Sequence, residues 1–298
     1  MKSLSLVQIK TDDGLTLPGL LCEADRSKKA AIFLHGNGSS SVFYSDDLRE
    51  EQVKALNSKG ISYLLFNNRG AHNIKKLDIE RKDGKEERKR FGMAYEKIKD
   101  CIKDIDGAIK FLEGKGYKEL YLIGESTGAN KICVYHYYKS DNKVSKYILL
   151  GGGDDTGIYY NELGEKKFYK LLKEAKEKIS RRKGEDIICE LLPNEIFSYV
   201  GFYDISNPDG DYNVFPFLEA MRNIKLSNKK LFRHFKSIDK PTLVVYGEKD
   251  EYAWGDVPRI VEILKKQKPE FKYVIVKDAD HSFTKHQKEL SKIITDWL

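Results

Sequence analysis

A serine stands between two glycines in the pentapeptide Gly124-Glu125-Ser126-Thr127-Gly128. The apolar residues 120–123 before it are typical of a buried strand, and residues 129–138 after it predict a helix. A sharp strand-to-helix turn of this kind exposes a serine hydroxyl for attack on a carbonyl carbon, and it requires glycine where a side chain would clash. Ser126 is therefore the candidate nucleophile, and a glycine-rich turn with a helix-capping serine is the alternative.

The base that activates Ser126 should be a histidine, because a serine hydroxyl is a weak nucleophile until its proton is removed. His281 follows the last predicted strand and is expected at the same edge of the sheet as Ser126. His35 and His72, on neighbouring loops, are weaker candidates. The other histidines are placed in helices or near the end of a long insertion: His136, His234 and His286. The alternative for His281 is a loop histidine with a local hydrogen bond.

A buried carboxylate should orient the histidine and stabilise its charged form. Asp250 comes directly after the predicted buried strand 242–246 and leaves room for one helix and one strand before His281. It also lies between nucleophile and base in chain order, as is expected when the serine lies on a strand-to-helix turn of an α/β fold of this class. Its nearest rivals are Glu248, Glu251 and Asp256. The alternative for Asp250 is an exposed aspartate in a turn.

Two backbone N–H groups should hold the oxyanion that forms when the serine attacks. One is expected from Thr127, the residue after the nucleophile. The other is expected from Asn37, in a small-residue loop that follows a short apolar strand. Gly36 and Gly38 on either side of Asn37 would let this loop approach a substrate closely. Gly38 is the second choice for this donor.

Strands and helices that alternate along the chain position these residues. The predicted strands are 4–9, 15–22, 30–34, 61–66, 120–123, 144–150, 242–246 and 273–276, and the helices are 47–59, 91–113, 129–138, 257–266 and 285–298. Alternation of this kind indicates a mostly parallel α/β sheet, in which ligands bind at the carboxyl ends of the strands. The loops at His35, Asn67, Ser126 and Gly151 all fall at those ends. Residues 71–90 are heavily charged and are predicted to be a surface loop.

The alternation stops over residues 154–238. Charged helices are predicted over 162–183 and 218–235, with an aromatic-rich section between them: Phe197, Tyr199, Phe202, Tyr203, Tyr212, Phe215 and Phe217. We interpret this segment as a lid inserted into a core of residues 1–153 and 239–298. The aromatic side chains either pack the lid onto the sheet, which we favour for most of them, or line a pocket.

Composition excludes several classes of protein. The 298 residues carry a net charge of +7 from 53 basic and 46 acidic residues, and the two signs are interspersed, which argues against nucleic-acid binding. No apolar stretch approaches the ~20 residues that span a bilayer. Residues 1–10 lack the apolar centre of a signal peptide, so a cytoplasmic protein is expected. The spacing of the cysteines fits neither a zinc site nor a disulfide framework, and no metal is expected: Cys22, Cys101, Cys133 and Cys189.

Together these motifs resemble the α/β-hydrolase superfamily of serine hydrolases. Residues 33–38 are similar to its oxyanion loop, and 67–70 to its Asp-x-Arg-Gly-His-Gly loop, with departures at the first and last positions. Residues 124–128 match the nucleophile elbow, 247–250 the acid turn and 280–283 the histidine loop. The resemblance covers the chain apart from the charged loop and the lid. A serine at the elbow, rather than an aspartate, argues against a dehalogenase or an epoxide hydrolase.

The insertion is similar in position to the lids of feruloyl and cinnamoyl esterases and of serine-aminopeptidase-like acylglycerol lipases. Residues 191–211 also resemble the lid of a group of uncharacterised fungal and plant hydrolases. The resemblance implies a carboxylic-ester hydrolase for a small-molecule substrate, working through an acyl-enzyme and without a cofactor. One alternative is a peptidase or thioesterase with the same triad, for which Asp204, Asp209 or Asp211 would meet a substrate amino group. Another is a binding protein without catalytic activity.

Overall fold

A computed structural model describes residues 3–38, 40–44, 47–189, 191–192 and 195–298. Residues 1–2 of the N-terminal stretch 1–10, Ser39 of the loop after His35, and residues 193–194 of the stretch 191–211 lie outside these residues. The strands are β1 (Ser3–Lys10), β2 (Thr16–Glu23), β3 (Lys29–Leu34), β4 (Ile61–Phe66), β5 (Lys75–Glu80), β6 (Glu86–Phe91), β7 (Glu119–Glu125), β8 (Val144–Leu150), β9 (Thr242–Gly247) and β10 (Lys272–Val276).

Ten α-helices accompany these strands in the described part of the chain. They are α1 (Asp47–Ser58), α2 (Cys101–Gly114), α3 (Thr127–Tyr138), α4 (Asp155–Leu163), α5 (Glu165–Ser180), α6 (Tyr199–Ser206), α7 (Phe217–Arg222), α8 (Arg233–Ser237), α9 (Val257–Gln267) and α10 (Gln287–Trp297). Eight strands form one sheet in the order β1-β2-β4-β3-β7-β8-β9-β10. Only β2 runs against its neighbours, so the sheet is mostly parallel, as the sequence predicts.

The central strands are buried on both faces, which explains their continuous apolar sequences. Because side chains alternate along a strand, Ile32, Leu122 and Val244 face one core and their neighbours face the other. The first core is closed by α2, α3 and α9 together with the helices between β8 and β9. The second is closed by α1 and α10, which pack against each other. The sheet is therefore a rigid layer whose carboxyl edge carries the loops of interest.

The charged residues 71–90 do not form the predicted loop. β5 pairs with β6 as an antiparallel hairpin outside the main sheet. Along β5 the side chains of Lys75, Leu77 and Ile79 are partly buried, while those between them are exposed. The loop prediction was wrong because charged side chains occupy most of the exposed positions and hide this short alternation.

The helix predicted over residues 91–113 starts only at Cys101. Gly92 adopts φ 100°, and an added Cβ there would lie 2.7 Å from the carbonyl oxygen of Asn73, so the chain turns sharply at the base of the hairpin. Two 3₁₀ turns, Met93–Tyr95 and Ile98–Asp100, then lead into α2. Met93 and Ile98 are buried in these turns, and Ile98 continues the helical spacing of Ile102 and Ile105, so the apolar pattern did not mark the true start of α2.

The helix predicted over 162–183 corresponds to α5 (Glu165–Ser180), and Gly164, with φ 71°, separates it from α4, so only the ends of the prediction were off. The helix predicted over 218–235 is represented by α7 and α8, with non-helical residues between them. Except for the partly buried Tyr203, the aromatic side chains singled out in this segment are buried in the first core. They therefore pack the segment onto the body of the protein.

Candidate active site

Ser126 lies at the turn between β7 and α3 with φ 55° and ψ −127°, a conformation that costs a non-glycine residue about 1–3 kcal/mol. The turn is held because the Ser126 N–H donates to the carbonyl of Leu150, 2.8 Å away. A Cβ on Gly124 would lie 2.3 Å from the Gly128 oxygen, and one on Gly128 would lie 2.0 Å from the Leu34 oxygen. Both glycines are thus required by close backbone contacts, as the sequence analysis inferred.

His281 and Asp250 meet in the structure although they follow different strands. Asp250 comes after β9 and is 3% exposed, and both of its carboxylate oxygens lie 2.9 Å from Nδ1 of His281. The carboxylate accepts, so Nδ1 carries the proton and the neutral ring keeps its lone pair on Nε2. A Cβ added to Gly151 would lie 3.1–3.2 Å from both side chains, so the pair is packed against the end of β8.

The surroundings of His281 favour its protonated form. Burial of the ring opposes the charge, but the hydrogen bond and the negative charge of Asp250 outweigh burial and raise the pKa of His281 above its usual 6.5. Glu125 and Glu251 add smaller effects of the same sign. A histidine held in this way is a stronger base when neutral, and it stabilises the positive charge that it acquires when it accepts a proton.

A cavity of about 480 Å³ lies over the carboxyl edge of the sheet and is lined by Ser126, His281 and Asn37. Thr127 is fully buried next to Ser126, and its hydroxyl oxygen is 3.3 Å from Asp155, at the start of α4. The structure thus brings the predicted nucleophile, base and oxyanion-loop residue to one cavity, with Asp250 behind the base.

The rival carboxylates have other partners. Glu248 accepts from the Asp278 N–H at 2.9 Å, Glu251 accepts from the His281 N–H at 3.0 Å, and Asp256 caps α9 by accepting from the Arg259 N–H at 3.1 Å. Among the described residues, Asp250 is the carboxylate whose oxygens contact the ring of His281.

The other histidines lie elsewhere. The Nδ1 atom of His35 is 2.8 Å from the Gly36 oxygen, and burial together with nearby Lys131 holds the pKa of His35 well below its usual range. His72 contacts the Tyr44 hydroxyl, and His234 contacts Asp211. His136 lies near Tyr147, whereas His286 precedes α10, so its predicted position inside that helix was off by one residue.

Glu125, at the position before Ser126, has a partner that the sequence could not reveal. Its carboxylate accepts a hydrogen bond from the guanidinium of Arg49 in α1. The Arg49 guanidinium also stacks over the ring of Phe33 at 3.9 Å and donates to Gln52 at 2.7 Å. This pair ties the elbow to α1. Because Arg49 lies 76 residues before Glu125 in the chain, no local sequence signal indicated it.

The cavity wall formed by α4 and the residues before α6 consists of residues that the sequence analysis did not select: Asp155, Ile158, Tyr159, Glu162 and Glu195. Asp204 instead accepts from the Ile98 N–H, Asp209 accepts from Asn228, and Asp211 contacts His234. These three aspartates, suggested for an amino group of a substrate, do not line the cavity. Only three-dimensional packing brings α4 and the residues before α6 to the nucleophile.

A bound metal has no evident place in the described part of the chain. No group of three or more histidine, cysteine, aspartate or glutamate side chains is arranged there to hold an ion. Its cysteines are unpaired, with Cys189 exposed and the others buried. In the same residues, no helix is both long and apolar enough to cross a membrane.

Comparisons with known proteins identify a family for this chain and solved structures with a similar fold. Residues 91–298 match the family described as "Protein of unknown function (DUF1749)". No curated protein matches the chain. Among solved structures, the chain is similar to Est1E from Butyrivibrio proteoclasticus with ferulic acid bound, at 16% identity and TM-score 0.63 over 98% of this chain and 97% of that one.

Two further structures are similar over almost the whole chain. GrgF from Penicillium sp. sh18, described as an alpha/beta hydrolase, has 18% identity and TM-score 0.61 over 99% of this chain and 97% of its own. The esterase Pf2001 of Pyrococcus furiosus has 18% identity and TM-score 0.55 over 99% and 90%. At these identities the likeness establishes the fold, and it confirms the α/β-hydrolase fold that the motifs predicted. The chain belongs to the DUF1749 family and has the α/β-hydrolase fold.

Proposed function

We propose that this protein is a serine hydrolase that cleaves carboxylic esters of small molecules. The observation that carries the proposal is the placement of Ser126, in its strained turn, in one cavity with His281, whose Nδ1 lies 2.9 Å from the buried Asp250. A strained serine with a carboxylate-bound histidine beside it is the arrangement that acyl transfer needs. The esterases among the similar structures agree with this reading.

In the first half of the proposed reaction, Ser126 Oγ attacks the ester carbonyl carbon, and its proton passes to Nε2 of His281. Asp250 accepts from Nδ1 throughout and stabilises the imidazolium. The N–H groups of Thr127 and Asn37 donate to the oxyanion of the tetrahedral intermediate. The intermediate then collapses: the bond to the alcohol oxygen breaks, the alcohol takes the proton from Nε2, and the acyl group remains on Ser126.

In the second half, water replaces the alcohol. A water molecule attacks the acyl carbon while Nε2 of His281 accepts its proton, and the same two N–H groups hold the second oxyanion. Collapse breaks the bond to Ser126 Oγ, which regains a proton from His281, and the carboxylic acid leaves. The cycle requires the two nitrogens of one histidine and no metal or organic cofactor.

We place the lid of this enzyme at residues 154–238. This segment contributes Asp155, Ile158, Tyr159, Glu162 and Glu195 to the cavity wall. Its buried aromatic side chains join the first core, so it rests on the body of the protein as a packed layer. A wall of this kind shields the cavity from bulk solvent and sets substrate specificity.

The test is hydrolysis of a panel of aryl and alkyl esters, from acetyl to long acyl and including a cinnamoyl ester, by the wild type and by Ser126→Ala. We expect activity in the wild type and its loss in the variant. A fluorophosphonate should label the wild type and leave Ser126→Ala unlabelled. The matched control is Ser41→Ala, which removes another hydroxyl from a neighbouring loop and should keep both activity and labelling.

A folded wild type that neither hydrolyses any ester nor reacts with the fluorophosphonate would contradict the proposal and favour a binding protein. Labelling of Ser126 without ester hydrolysis would retain the nucleophile but move the substrate to an amide or a thioester. Activity that survives in Ser126→Ala would exclude Ser126 as the nucleophile.

A further inference from the structure

The cavity that holds Ser126 and His281 is lined by acidic side chains. Its described walls carry five carboxyl groups and no lysine or arginine: Glu125, Asp155, Glu162, Glu195 and Glu251. This distribution is opposite to that of the whole chain, in which more than one residue in six is lysine or arginine and the net charge is +7. The negative character of the cavity is thus a local property, set where the proposed substrate would bind.

Two of these carboxylates are engaged with the catalytic side of the cavity. Glu125 is paired with Arg49, and Glu251 accepts from the backbone N–H of His281 at 3.0 Å. These contacts explain both residues as supports of the elbow and of the histidine loop. Three acidic side chains remain, on the wall formed by α4 and the residues before α6, and none of them contacts a basic group among the described residues.

The direct contacts of these three acids are with neutral groups among the described residues, and Lys131, the cation that acts on Asp155 from further away, is itself paired with Glu96 at 2.7 Å. Asp155 accepts from the Thr127 hydroxyl at 3.3 Å and from the Asn130 amide at 3.1 Å, and Glu195 accepts from the Tyr159 hydroxyl at 3.2 Å. Glu162, one turn beyond Ile158 in α4, is exposed. Carboxylates that are partly removed from water are normally matched by a cation.

Burial disfavours the charged forms of the carboxyl groups on this wall. Burial raises the pKa of Asp155 to about 7, and the negative charge of Asp154 adds to this effect. Burial also raises the pKa of Glu195 above its usual value. A positive charge in the cavity would lower both pKa values and remove the cost.

Neutral groups of the cavity are also suited to a cation. Tyr159 and Tyr252 line it, and the faces of tyrosine rings attract ammonium groups. Asn37 lines the cavity from the oxyanion loop, and its side-chain oxygen is buried with no hydrogen-bond partner among the described residues. Aromatic faces, an unused amide oxygen and unmatched carboxylates together favour a ligand with a positively charged nitrogen.

We propose that the substrate is an ester that carries an ammonium group, held by the wall of Asp155, Tyr159 and Glu195 while Ser126 attacks its carbonyl carbon. This inference rests on the proposed ester hydrolysis and names the class of substrate for the same cavity. The acids hold the cationic end of the substrate, and the elbow and histidine loop act on its ester bond. Neither Asp155 nor Glu195 takes part in the chemical step.

The experiment compares esters that differ only in charge. One pair carries the charge in the acyl group: the p-nitrophenyl esters of 4-(trimethylammonio)butyrate and of 5,5-dimethylhexanoate. The other carries it in the alcohol: acetylcholine and 3,3-dimethylbutyl acetate, followed by pH-stat titration. In at least one pair, we expect the cationic ester to have a kcat/KM about tenfold or more above its neutral partner, mainly through KM. This preference should shrink between about 0.02 M and about 0.5 M salt.

Variants locate the preference on the proposed wall. Glu195→Gln and Asp155→Asn keep their oxygen acceptors but lose the charge, and each should lower the ratio of the cationic to the neutral kcat/KM about three- to tenfold. The matched control is Glu165→Gln, which removes one exposed charge at the start of α5 outside the cavity. It should leave the preference unchanged.

The outcomes separate the two proposals. If neutral esters are hydrolysed and neither pair shows a preference for the cation, the inference is overturned while the ester hydrolase stands. A preference that persists unchanged in the Asp155→Asn/Glu195→Gln double variant would also overturn it, because the selectivity would then lie elsewhere. If no ester of either charge is cleaved and Ser126 is not labelled, the proposed function itself fails.

Discussion

At the cavity wall formed by the strand ends, Glu125 contacts a basic group, and so does Asp250 directly behind this wall, whereas on the wall formed by α4 and the residues before α6, Asp155 and Glu195 contact only neutral donors. The first wall follows the usual rule that buried charges are paired. The second departs from it, although both line one cavity. The paired acids position catalytic groups or stabilise loops, and the unmatched ones are available to a ligand.

The largest expected effect concerns the paired acid of the first wall. Asp250→Asn should lower kcat about 10³–10⁴-fold, because an amide no longer fixes the proton of His281 on Nδ1 and does not stabilise the imidazolium. Steady-state kinetics on a p-nitrophenyl ester measure this loss, and thermal unfolding checks that the fold is intact. Glu248→Gln is the control, since Glu248 follows the same strand but contacts the Asp278 N–H. Equal losses in the two variants would remove Asp250 from the proposed triad.

A second prediction tests pairing deeper in the protein. Arg69, in the loop after β4, donates to Asp104 at 2.7 and 2.9 Å and to Asp13 at 2.9 Å, and its side chain is 5% exposed. Arg69→Ala leaves the buried Asp104 without a cation, so the free energy of unfolding should fall by about 3–5 kcal/mol. Urea denaturation measures it.

The control for this prediction is Arg81→Ala in the β5–β6 hairpin. Arg81 pairs with Glu87, but its side chain is 52% exposed, so its loss should cost under about 1 kcal/mol. If the two arginine variants lose similar stability, burial does not determine how much an ion pair contributes to the free energy of unfolding. The contrast between paired and unmatched acids would then not be supported.

Much of this arrangement could be predicted because it depends on local sequence. The buried strands can be recognised as apolar runs. Ser126, Asp250 and His281 each follow the end of such a run, so they could be selected individually and assigned to one edge of the sheet. The glycines of the elbow could be explained from the sharpness of the turn. The fold and the members of the site on the first wall follow from such signals.

The remainder depends on tertiary contacts that no local pattern records. The pairing of Arg49 with Glu125, the approach of Asp155 to Thr127 and the position of Glu195 at the cavity arise where separate elements meet. The same limit applies to Asp204 and Asp211. The sequence suggested them as partners of a substrate amino group, but Asp204 accepts from the Ile98 N–H and Asp211 contacts His234. For the β5–β6 hairpin, charged side chains concealed the alternation of a half-buried strand.

The third prediction concerns the cost of an unmatched acid. The native pKa of Asp155 is about 7, against 3.8 for an ordinary aspartate, so the stability that its neutral form provides is complete below pH 3.8 and is lost as the pH rises through 7. Asp155→Asn keeps the acceptor for Thr127 and Asn130 but removes this loss. At pH 8 the variant should exceed the wild type by about 1–2 kcal/mol, a value reduced because Asp155 is partly open to the cavity.

Urea denaturation of both proteins at pH 4, 6 and 8 checks the third prediction. The difference should be close to zero at pH 4 and should grow towards pH 8. Glu165→Gln, an exposed acid at the start of α5, should show no such trend. A variant that is less stable than the wild type at pH 8 would mean that the carboxylate of Asp155 is matched after all.

The smallest expected effect is a shift in the pH dependence of activity, which reports how Glu125 on the first wall acts on His281. Because the pKa of His281 is raised, kcat/KM should fall as the pH drops through a value above 6.5, where the proposed base becomes protonated.

The negative charge of Glu125 contributes to the raised pKa of His281, and Glu125→Gln keeps an acceptor for Arg49 while it removes the charge. The acid limb of the pH profile should therefore move to lower pH. Glu248→Gln again serves as the control and should leave the limb in place. If the limb does not move in Glu125→Gln, the positive charge of Arg49 already cancels the negative charge of Glu125 at His281. The ion pair on the first wall would then have no net effect on the pKa of the proposed base.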